Sequence, residues 1–439
     1  MALTSMLCLS CAVSHPDLMR PVRADLRSGR ACAALESYTS AAPDSTGLDR
    51  LLFLMEKGNL LRLAGRYEEA IRLLLEADRV SDMLRGTDLV ERLESLITSE
   101  ESVTFRGADY ESVMINYCLA TCYASMGNLE DALVECRRVG EKLRAFNLEY
   151  GDSGSSRYAD DAFVRYVMGV MFEADGNLDD ALVAYRASYD VYAGDYAEHY
   201  GLTPPRQLGM DLLRLSWLQG FESLHDSYES DWPGLDWRSS GPSPDRGELV
   251  VFIERGSIPE RIETSVEAYG ESRVYRLAVP AIPDEKELRW PFRYSSPVVV
   301  RAGPETVTAF LAEDLSAIAR KNLEDQAGRA LLLAMARLAA KAALAEAGEE
   351  IVEEITDEED GCLSEGAGFL ISLFGAATEH ADLRSWLTLP AQVHVARIPL
   401  APGTHQVSVS SAGGPELVME RSLEVRAGRI QMLFVRLGF

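Results

Sequence analysis

Three side chains late in the chain have the types that recognise small ligands. Asp382, Arg384 and Trp386 occupy alternate positions of the segment ADLRSWLTLP. A tryptophan ring can stack on a sugar or an aromatic group, and an arginine can bind a carboxylate. The same residues can also be structural, with Asp382 capping or pairing locally, Arg384 satisfying carbonyl groups and Trp386 filling the junction between a helix and a sheet. We favour the structural interpretation, because a tryptophan beside a Leu-Pro entry into a strand is typical of a packing corner.

The residue patterns of known catalytic and metal sites do not occur in the sequence. The six histidines show no H-E-x-x-H or paired-ligand spacing, although His394 and His405 could meet if their predicted strands are neighbours. No phosphate-binding, dinucleotide-binding or nucleophile-elbow motif appears in a fitting strand-turn-helix context. Acidic pairs are too common in this chain to indicate a general acid and base. The sequence therefore predicts no catalytic residue, no metal and no cofactor.

The N-terminal segment MALTSMLCLSCAVS has the features of a lipoprotein export signal. A short apolar run is followed by Leu9-Ser10 before Cys11, which resembles the lipobox at which bacterial signal peptidase cuts and the new N-terminal cysteine is acylated. We therefore expect residues 1–11 to act as the signal segment and Cys11 to carry a lipid anchor. The alternative is an ordinary buried or frayed N-terminus.

The charge of the chain restricts its partners. The 439 residues include 69 acidic and 43 basic side chains, which gives a net charge of −26, and hydrophobic residues make up 47%. This composition is ordinary for a folded globular protein. Because an acidic surface repels phosphates and anionic headgroups, we expect no nucleic-acid partner, and basic or neutral partners are favoured.

Residues 51–80, LLFLMEKGNLLRLAGRYEEAIRLLLEADRV, have the pattern of a tetratricopeptide (TPR) repeat. Gly58 and Ala70 are small residues where two antiparallel helices would touch, and Gly65 lies at the turn between them. A helical pair of this size cannot bury its apolar face alone, so neighbouring repeats are required. Alanines at equivalent positions predict them, and a capping helix is expected over 207–228. The equivalent alanines are Ala34, Ala132 and Ala181.

The inner faces of the first helices predict a partner-binding groove. In a TPR stack these faces form the concave surface, and here they mix aromatic and polar side chains that suit an extended peptide or a partner helix. The inserted segments or the capping helix could instead cover the same aromatics. The predicted groove residues are Met55, Asn59, Arg62, Tyr117, Thr121, Phe163, Tyr166 and Glu173.

The second half of the chain is predicted to be rich in strands. Pro, Gly and Ser cluster at 231–247, which marks a linker after a TPR-like α-solenoid over 12–230. Residues 248–439 alternate apolar and polar residues in several short runs, which predicts a β-sandwich-like domain with a helical insertion at about 311–385. The expected fold class is therefore α+β and multidomain.

The segment HADLRSWLTLPAQVHVARIPLAPGTHQVSV, residues 380–409, resembles a signature of a family of bacterial envelope lipoproteins. Members of this family join N-terminal TPR-like helices to a C-terminal domain with an A-D-x-R-x-W-x-x-L-P segment. Residues 127–138 and 247–263 also resemble parts of the family. The resemblance implies export, a lipid anchor and no known reaction.

These patterns together predict a non-enzymatic scaffold or adaptor of the cell envelope. We expect it to face the periplasm from a membrane, the outer rather than the inner one, and to bind another envelope protein or peptide through the TPR groove. One alternative is a peptidoglycan-binding module or glycan-acting enzyme that uses Trp386. The other is a cytoplasmic TPR adaptor without an anchor.

Overall fold

The computed structural model shows an α+β protein, with a helical N-terminal part and a C-terminal part dominated by a sheet. This confirms the α+β part of the predicted fold class. The residues that the structure describes are 14–41, 46–85, 103–150, 158, 160–269, 274–283, 296–328, 381–411 and 419–438. The predicted signal segment with Cys11 lies outside these residues, as does most of the predicted helical insertion, from 329 to 380.

Ten helices of the described residues pair into five hairpins, and successive hairpins pack against one another. They are α1 (His15–Arg27) with α2 (Ala31–Ala41), α3 (Arg50–Leu63) with α4 (Tyr67–Arg85), α5 (Asp109–Ser125) with α6 (Leu129–Tyr150), α7 (Ala162–Asp175) with α8 (Leu178–Val191), and α10 (Arg206–Leu218) with α11 (Glu222–Asp231). A π-helical turn, Tyr192–Tyr196, and the short helix α9, Ala197–Tyr200, precede the last hairpin. The prediction of a single capping helix over 207–228 is wrong. Gly220, at φ +72°, divides this segment into two helices, which form the fifth hairpin.

All five hairpins have the same kind of turn. In the second hairpin Gly65 adopts φ +76°, a left-handed conformation that favours glycine, and the next amide, of Arg66, donates to the carbonyl of Leu61 at 2.9 Å. Ala70, five residues after the glycine, is fully buried between the two helices. The prediction that Ala70, Ala132 and Ala181 occupy equivalent hairpin contacts is confirmed. The turn glycines are Gly29, Gly65, Gly127, Gly176 and Gly220, and the buried residues five positions later are Ala34, Ala70, Ala132, Ala181 and His225.

The C-terminal part contains a seven-stranded sheet in the order β8-β7-β4-β5-β6-β1-β9. All its pairs are antiparallel except β1 with β9. Strands β2 and β3 form a separate hairpin, and a helix, α12, covers residues 315–328. The strands are β1 (Gly247–Arg255), β2 (Ile262–Tyr269), β3 (Val274–Ala281), β4 (Val298–Ala302), β5 (Glu305–Asp314), β6 (Gln392–Leu400), β7 (Gly403–Ser411), β8 (Met419–Val425) and β9 (Ile430–Leu437).

The two faces of the sheet bury different cores. Leu249, Val251 and Ile253 of β1 face an apolar cluster built from strands at both ends of the sheet order, so the sheet is curled around its own core. Val250 and Phe252, on the opposite face of β1, belong to the cluster formed by the helical hairpins. All nine residues of β1 are therefore buried, which explains why its sequence is almost continuously apolar.

Two sequence-based expectations about the C-terminal part are corrected. The sandwich takes the form of one curled sheet, because β5 pairs with β4 on one side and with β6 on the other. The helical insertion does not begin at 311, because β5 continues to Asp314, and residues 381–391 are not helical. Among the helices of the described residues, none combines the length and the apolar character that crossing a bilayer requires.

Candidate functional site

The eight predicted groove residues all lie on the concave side of the helical stack, but the chain's own C-terminal part covers them. None of them is more than 6% exposed. The ring of Phe163 lies 6.5 Å from that of Phe252 on β1, and the ring of Tyr166 lies 5.7 Å from that of Phe310 on β5. The prediction of an open partner groove is therefore corrected, because the outer face of the sheet needs an apolar cover and the helices supply it.

Residues 381–391 form a segment without helix or strand that contacts the second and third hairpins, turns at 386–389 and is held there by its main chain. The carboxylate of Glu56 accepts hydrogen bonds from the amides of Leu387 at 2.7 Å and Thr388 at 3.1 Å. The carboxylate of Glu111 accepts one from the amide of Trp386 at 2.7 Å. Bonds of this kind, with an ionised acceptor, are among the stronger hydrogen bonds in proteins. The helical stack thus binds a polypeptide backbone, and the polypeptide is its own.

The side chains around this backbone complete the attachment. Asn59 donates to both the carbonyl and the hydroxyl oxygen of Thr388, each at 3.1 Å. Arg384 donates to Asp49 at 2.6 Å, to Asp382 and to the Val103 carbonyl. These contacts connect the second hairpin, and residues that precede the second and third hairpins, to a short stretch about 280–335 residues later in the chain.

Trp386 is fully buried, and its indole N–H donates to the hydroxyl of Thr388 at 2.9 Å. Arg384 is 2% exposed and Asp382 is 8% exposed. The cluster Asp382, Arg384 and Trp386 is therefore a packing and anchoring element, as the structural interpretation expected. The Trp386 ring offers no exposed face to a sugar in this structure, so the glycan-binding alternative loses its proposed site.

A second attachment joins the last two hairpins to β1 and β6 through buried charges. Arg397 on β6 contacts Glu173 and Asp211, each at 3.1 Å, and its Nε donates to Glu248 at 3.1 Å. All four side chains are at most 1% exposed. Arg214 on α10 adds a contact to Glu173 at 2.6 Å. We call these two arginines and three carboxylates the Arg397 cluster. Their contacts with one another take the place of the hydration that each buried charge loses.

The carboxylates of the Arg397 cluster differ in proton affinity. Burial opposes ionisation of Glu173, but Arg214 and Arg397 outweigh it and lower the pKa to about 2. Burial raises the pKa of Asp211 to about 6, with Arg397 and Arg214 only partly offsetting it. Near neutral pH both groups are ionised, and Asp211 is the one that takes up a proton first on acidification.

A third attachment lies at the edge of the interface and opens into a cleft. Glu254 on β1 accepts a hydrogen bond from Arg62 at 2.8 Å and lies 3.5 Å from Arg436 on β9. The cleft has a volume of about 480 Å³ and is lined by the turns of the first two hairpins, the end of α5, the start of β8 and the end of β9. Of the eight predicted groove residues, Arg62 and Thr121 line it.

Sequence reasoning missed the residues that make these attachments, although a signal was present. Glu248 and Glu254 flank the apolar run of β1, and Arg397 interrupts the apolar run of β6. Charged residues are rarely buried without a partner, so isolated charges in otherwise apolar strands indicate buried ion pairs. The pattern does not reveal which helices carry the opposite charges.

The remaining candidate groups form no site in the described residues. His394 and His405 do not meet, because β4 and β5 lie between their strands, and burial with the charge of Arg255 lowers the pKa of His394 to about 4. Cys118, Cys122 and Cys136 are buried and unpaired, and burial raises the pKa of each to about 12. No group of three or more His, Cys, Asp or Glu side chains in the described ranges is placed to hold a metal ion.

Comparisons with known proteins concern the helical architecture. No family model and no curated protein matches the sequence. Among solved structures, the chain is similar to MamA from Desulfovibrio magneticus RS-1, with 13% identity and a TM-score of 0.32 over 52% of this chain and 100% of that one. It is also similar to kinesin light chain TPR-like repeats from Podosopora anserina, with 13% identity and a TM-score of 0.33 over 51% and 96%. A Rap protein complexed with competence and sporulation factor has 12% identity and a TM-score of 0.31 over 51% and 54%.

Proposed function

We propose that this chain is a non-enzymatic scaffold of the bacterial cell envelope that is anchored by a lipid on Cys11 and binds another envelope protein. The observation that carries the proposal is the way in which the helical stack holds residues 381–391. Glu56 and Glu111 bind three consecutive main-chain amides at a turn of this segment, so the helical stack binds a polypeptide backbone. Because the chain fills this surface itself, its partner binds elsewhere on the protein.

The filled concave face supports a scaffold because it joins the two halves of the protein. Three separate attachments, at residues 381–391, at the Arg397 cluster and at Glu254, connect hairpins two to five to the sheet. A protein held in this way presents its outer surfaces in fixed relative positions. Such rigidity lowers the entropy lost when a partner binds to more than one element at once.

The anchor is tested by mass spectrometry of the mature N-terminus of the protein purified from its own bacterium. Acyl chains on Cys11 and loss of residues 1–10 are expected. An intact Met1 would contradict the anchor and would support the alternative of a cytoplasmic adaptor.

The partner is tested by site-specific photo-crosslinking in intact cells. A photoreactive amino acid at the exposed positions Val183, Trp217 or Arg421 is expected to give a discrete adduct with a second protein from at least one position. The matched control is the same amino acid at Tyr117, which is 1% exposed and should yield only internal crosslinks. Absence of any intermolecular adduct from all three exposed positions would contradict a scaffold function.

A further inference from the structure

The cleft between β8 and β9 combines a free sheet edge with an excess of positive charge. Strand β9 pairs only with β1, and no strand of the described residues pairs with its other edge. Strand β8 pairs only with β7, so the two strands joined by the turn at 426–429 belong to opposite ends of the sheet order and do not pair with each other. Their far ends, Met419 and Arg421 on β8 and residues 434–438 on β9, line the cleft.

The register of β9 determines which main-chain groups face the free edge. The amide of Glu248 donates to the carbonyl of Arg429 at 3.0 Å, and Glu248 lies opposite Ile430 in the parallel pair. In such a pair, alternate residues bond to the neighbouring strand, here 429, 431, 433, 435 and 437. The N–H and C=O groups of the even-numbered residues 430–436 therefore face away from β1, and an extended peptide could bond to them as an added strand.

The charges of the cleft favour an acidic occupant. Among the described residues that line it are three arginines, Arg62, Arg421 and Arg436, and one carboxylate, Glu254, which pairs with Arg62 and Arg436, in a chain whose net charge is −26. Arg421 is exposed and forms no ion pair with a described residue. At the base of the cleft, Glu254 is 3% exposed and interacts with Arg62, Arg436 and the buried hydroxyl of Tyr117.

The two faces of β9 define the side chains that an added strand should carry. Strand neighbours share faces, so alternate residues of the peptide would lie beside Phe434 and Arg436 on one face and beside Val435 and Leu437 on the other. The first face is next to Arg62, and the second continues the apolar core inside the curled sheet. We infer that this cleft binds an extended peptide segment of a partner protein in which acidic and apolar side chains alternate. This inference rests on the proposed scaffold function and assigns its binding surface.

The test uses a fluorescently labelled peptide of alternating valine and glutamate and measures binding to the full chain by fluorescence anisotropy. The peptide should bind, whereas peptides of alternating valine and lysine or of alternating serine and glutamate should bind at least tenfold more weakly. Arg421→Glu should weaken binding of the first peptide at least tenfold. Arg426→Glu is the matched control, because Arg426 is exposed just beyond the other end of the same strand and outside the cleft, and it should change binding less than twofold.

Hydrogen exchange separates edge binding from a general charge effect. The bound peptide should protect the amides of residues 432, 434 and 436, which face the free edge, more than those of 433 and 435, which already face β1. Failure of the valine–glutamate peptide to bind, or binding that Arg421→Glu leaves unchanged, would overturn the inference. Self-association of the chain that Arg421→Glu abolishes would also overturn it, because the occupant would then be a second copy.

The two proposals fail separately. A cellular crosslink from Val183 or Trp217 without peptide binding would remove the cleft and keep the scaffold. Peptide binding without any cellular adduct would keep the cleft and remove the scaffold function.

Discussion

The two halves of the concave face are attached to the C-terminal part by different chemistry. Hairpins two and three hold residues 381–391 through main-chain amides that donate to Glu56 and Glu111. The last two hairpins hold β1 and β6 through the charged side chains of the Arg397 cluster. A main-chain bond is available from almost any residue, whereas a guanidinium among three carboxylates has no substitute. Positions of the held segment whose side chains make no hydrogen bond, such as Ser385, should therefore tolerate substitution, whereas Arg397 should not.

The largest expected effect comes from removing the guanidinium of Arg397. Arg397→Met leaves Glu173, Asp211 and Glu248 with Arg214 as their remaining buried cation, and stranding buried charges costs about 3–5 kcal/mol of unfolding free energy. Urea unfolding at pH 7 measures the loss.

Two further variants distinguish the cost of unpaired buried charges from the cost of lost packing. Arg397→Met combined with Glu248→Met should lose less stability than Arg397→Met alone, because one unpaired carboxylate is removed with its partner. Arg426→Met, at an exposed position, should stay within about 0.5 kcal/mol of the wild type. A loss below about 1 kcal/mol in Arg397→Met would remove the distinction between the two halves.

The next effect is a pH dependence confined to the charged half. The pKa of Asp211 is raised to about 6 in the folded protein, above the ordinary value of 3.8, so between these values the folded state binds the proton and the unfolded state does not. The unfolding free energy of the wild type therefore falls as pH rises from about 4 to about 6, and Asp211→Asn lacks this fall. The stability of the variant relative to the wild type should rise by roughly 3 kcal/mol over that window.

Glu173→Gln supplies the comparison with opposite sign. The pKa of Glu173 is lowered to about 2, so its ionised form stabilises the fold above the ordinary value of 4.5, and that stability is lost as pH falls toward 2. The variant should therefore lose stability relative to the wild type as pH rises from about 2 to 4.5. If the unfolding free energy of either variant varies with pH in parallel with that of the wild type, the substituted carboxylate does not have the pKa shift described above.

A smaller effect is expected in the half that binds a main chain. Glu56→Gln removes the ionised acceptor of two amides and leaves an amide group with one acceptor oxygen, so the loss should be about 2 kcal/mol. Amide exchange at Leu387 and Thr388 should accelerate more than at the strands of the sheet. Glu68→Gln, an exposed carboxylate on α4, is the control and should leave both measurements nearly unchanged. Unchanged exchange at 387 and 388 would show that the two amides do not depend on this carboxylate.

The sequence predicts the helical hairpins but does not indicate which part of the chain covers their concave face. Ala70, Ala132 and Ala181 recur because the helices of these hairpins touch at a small residue five positions after the turn, so local spacing alone predicts the stack. The inward orientation of Tyr117 and Phe163 was predicted for the same reason. That Phe252 covers Phe163 could not be predicted, because an apolar pattern shows that a face is buried without showing which distant element buries it.

The missed strand β5 has a local explanation. Residues 305–314, ETVTAFLAED, alternate only loosely, and an Ala- and Leu-rich stretch follows, so the sequence pattern places the start of the helical insertion too early, at 311. Pairing with β4 and β6 on both sides decides the outcome, since strand propensity depends strongly on neighbours. The Trp386 segment was correctly interpreted as a packing element, but its attachment by Glu56 and Glu111 depends on contacts about 330 and 275 residues away in sequence.

The smallest effect is expected from Ser385→Ala, which tests whether a side chain of the held segment contributes to its attachment. Ser385 lies within the held segment and is 3% exposed, yet its hydroxyl has no hydrogen-bond partner in the described residues, whereas its carbonyl contacts the His15 ring at 3.1 Å. Ser385→Ala should therefore change the unfolding free energy by no more than about 0.5 kcal/mol, or raise it, because a buried unsatisfied hydroxyl is removed. Thermal and urea unfolding at pH 7 measure the change.

The matched control for this variant is Ser188→Ala, at a fully buried serine whose hydroxyl donates to the Ala162 carbonyl at 2.7 Å. That substitution removes a buried hydrogen bond to a helix carbonyl, so it should cost about 0.5–1.5 kcal/mol. If Ser385→Ala costs as much as Ser188→Ala, the attachment depends on the Ser385 side chain in addition to those of Arg384 and Thr388. The held segment would then be as dependent on its own sequence as the Arg397 cluster is on its guanidinium.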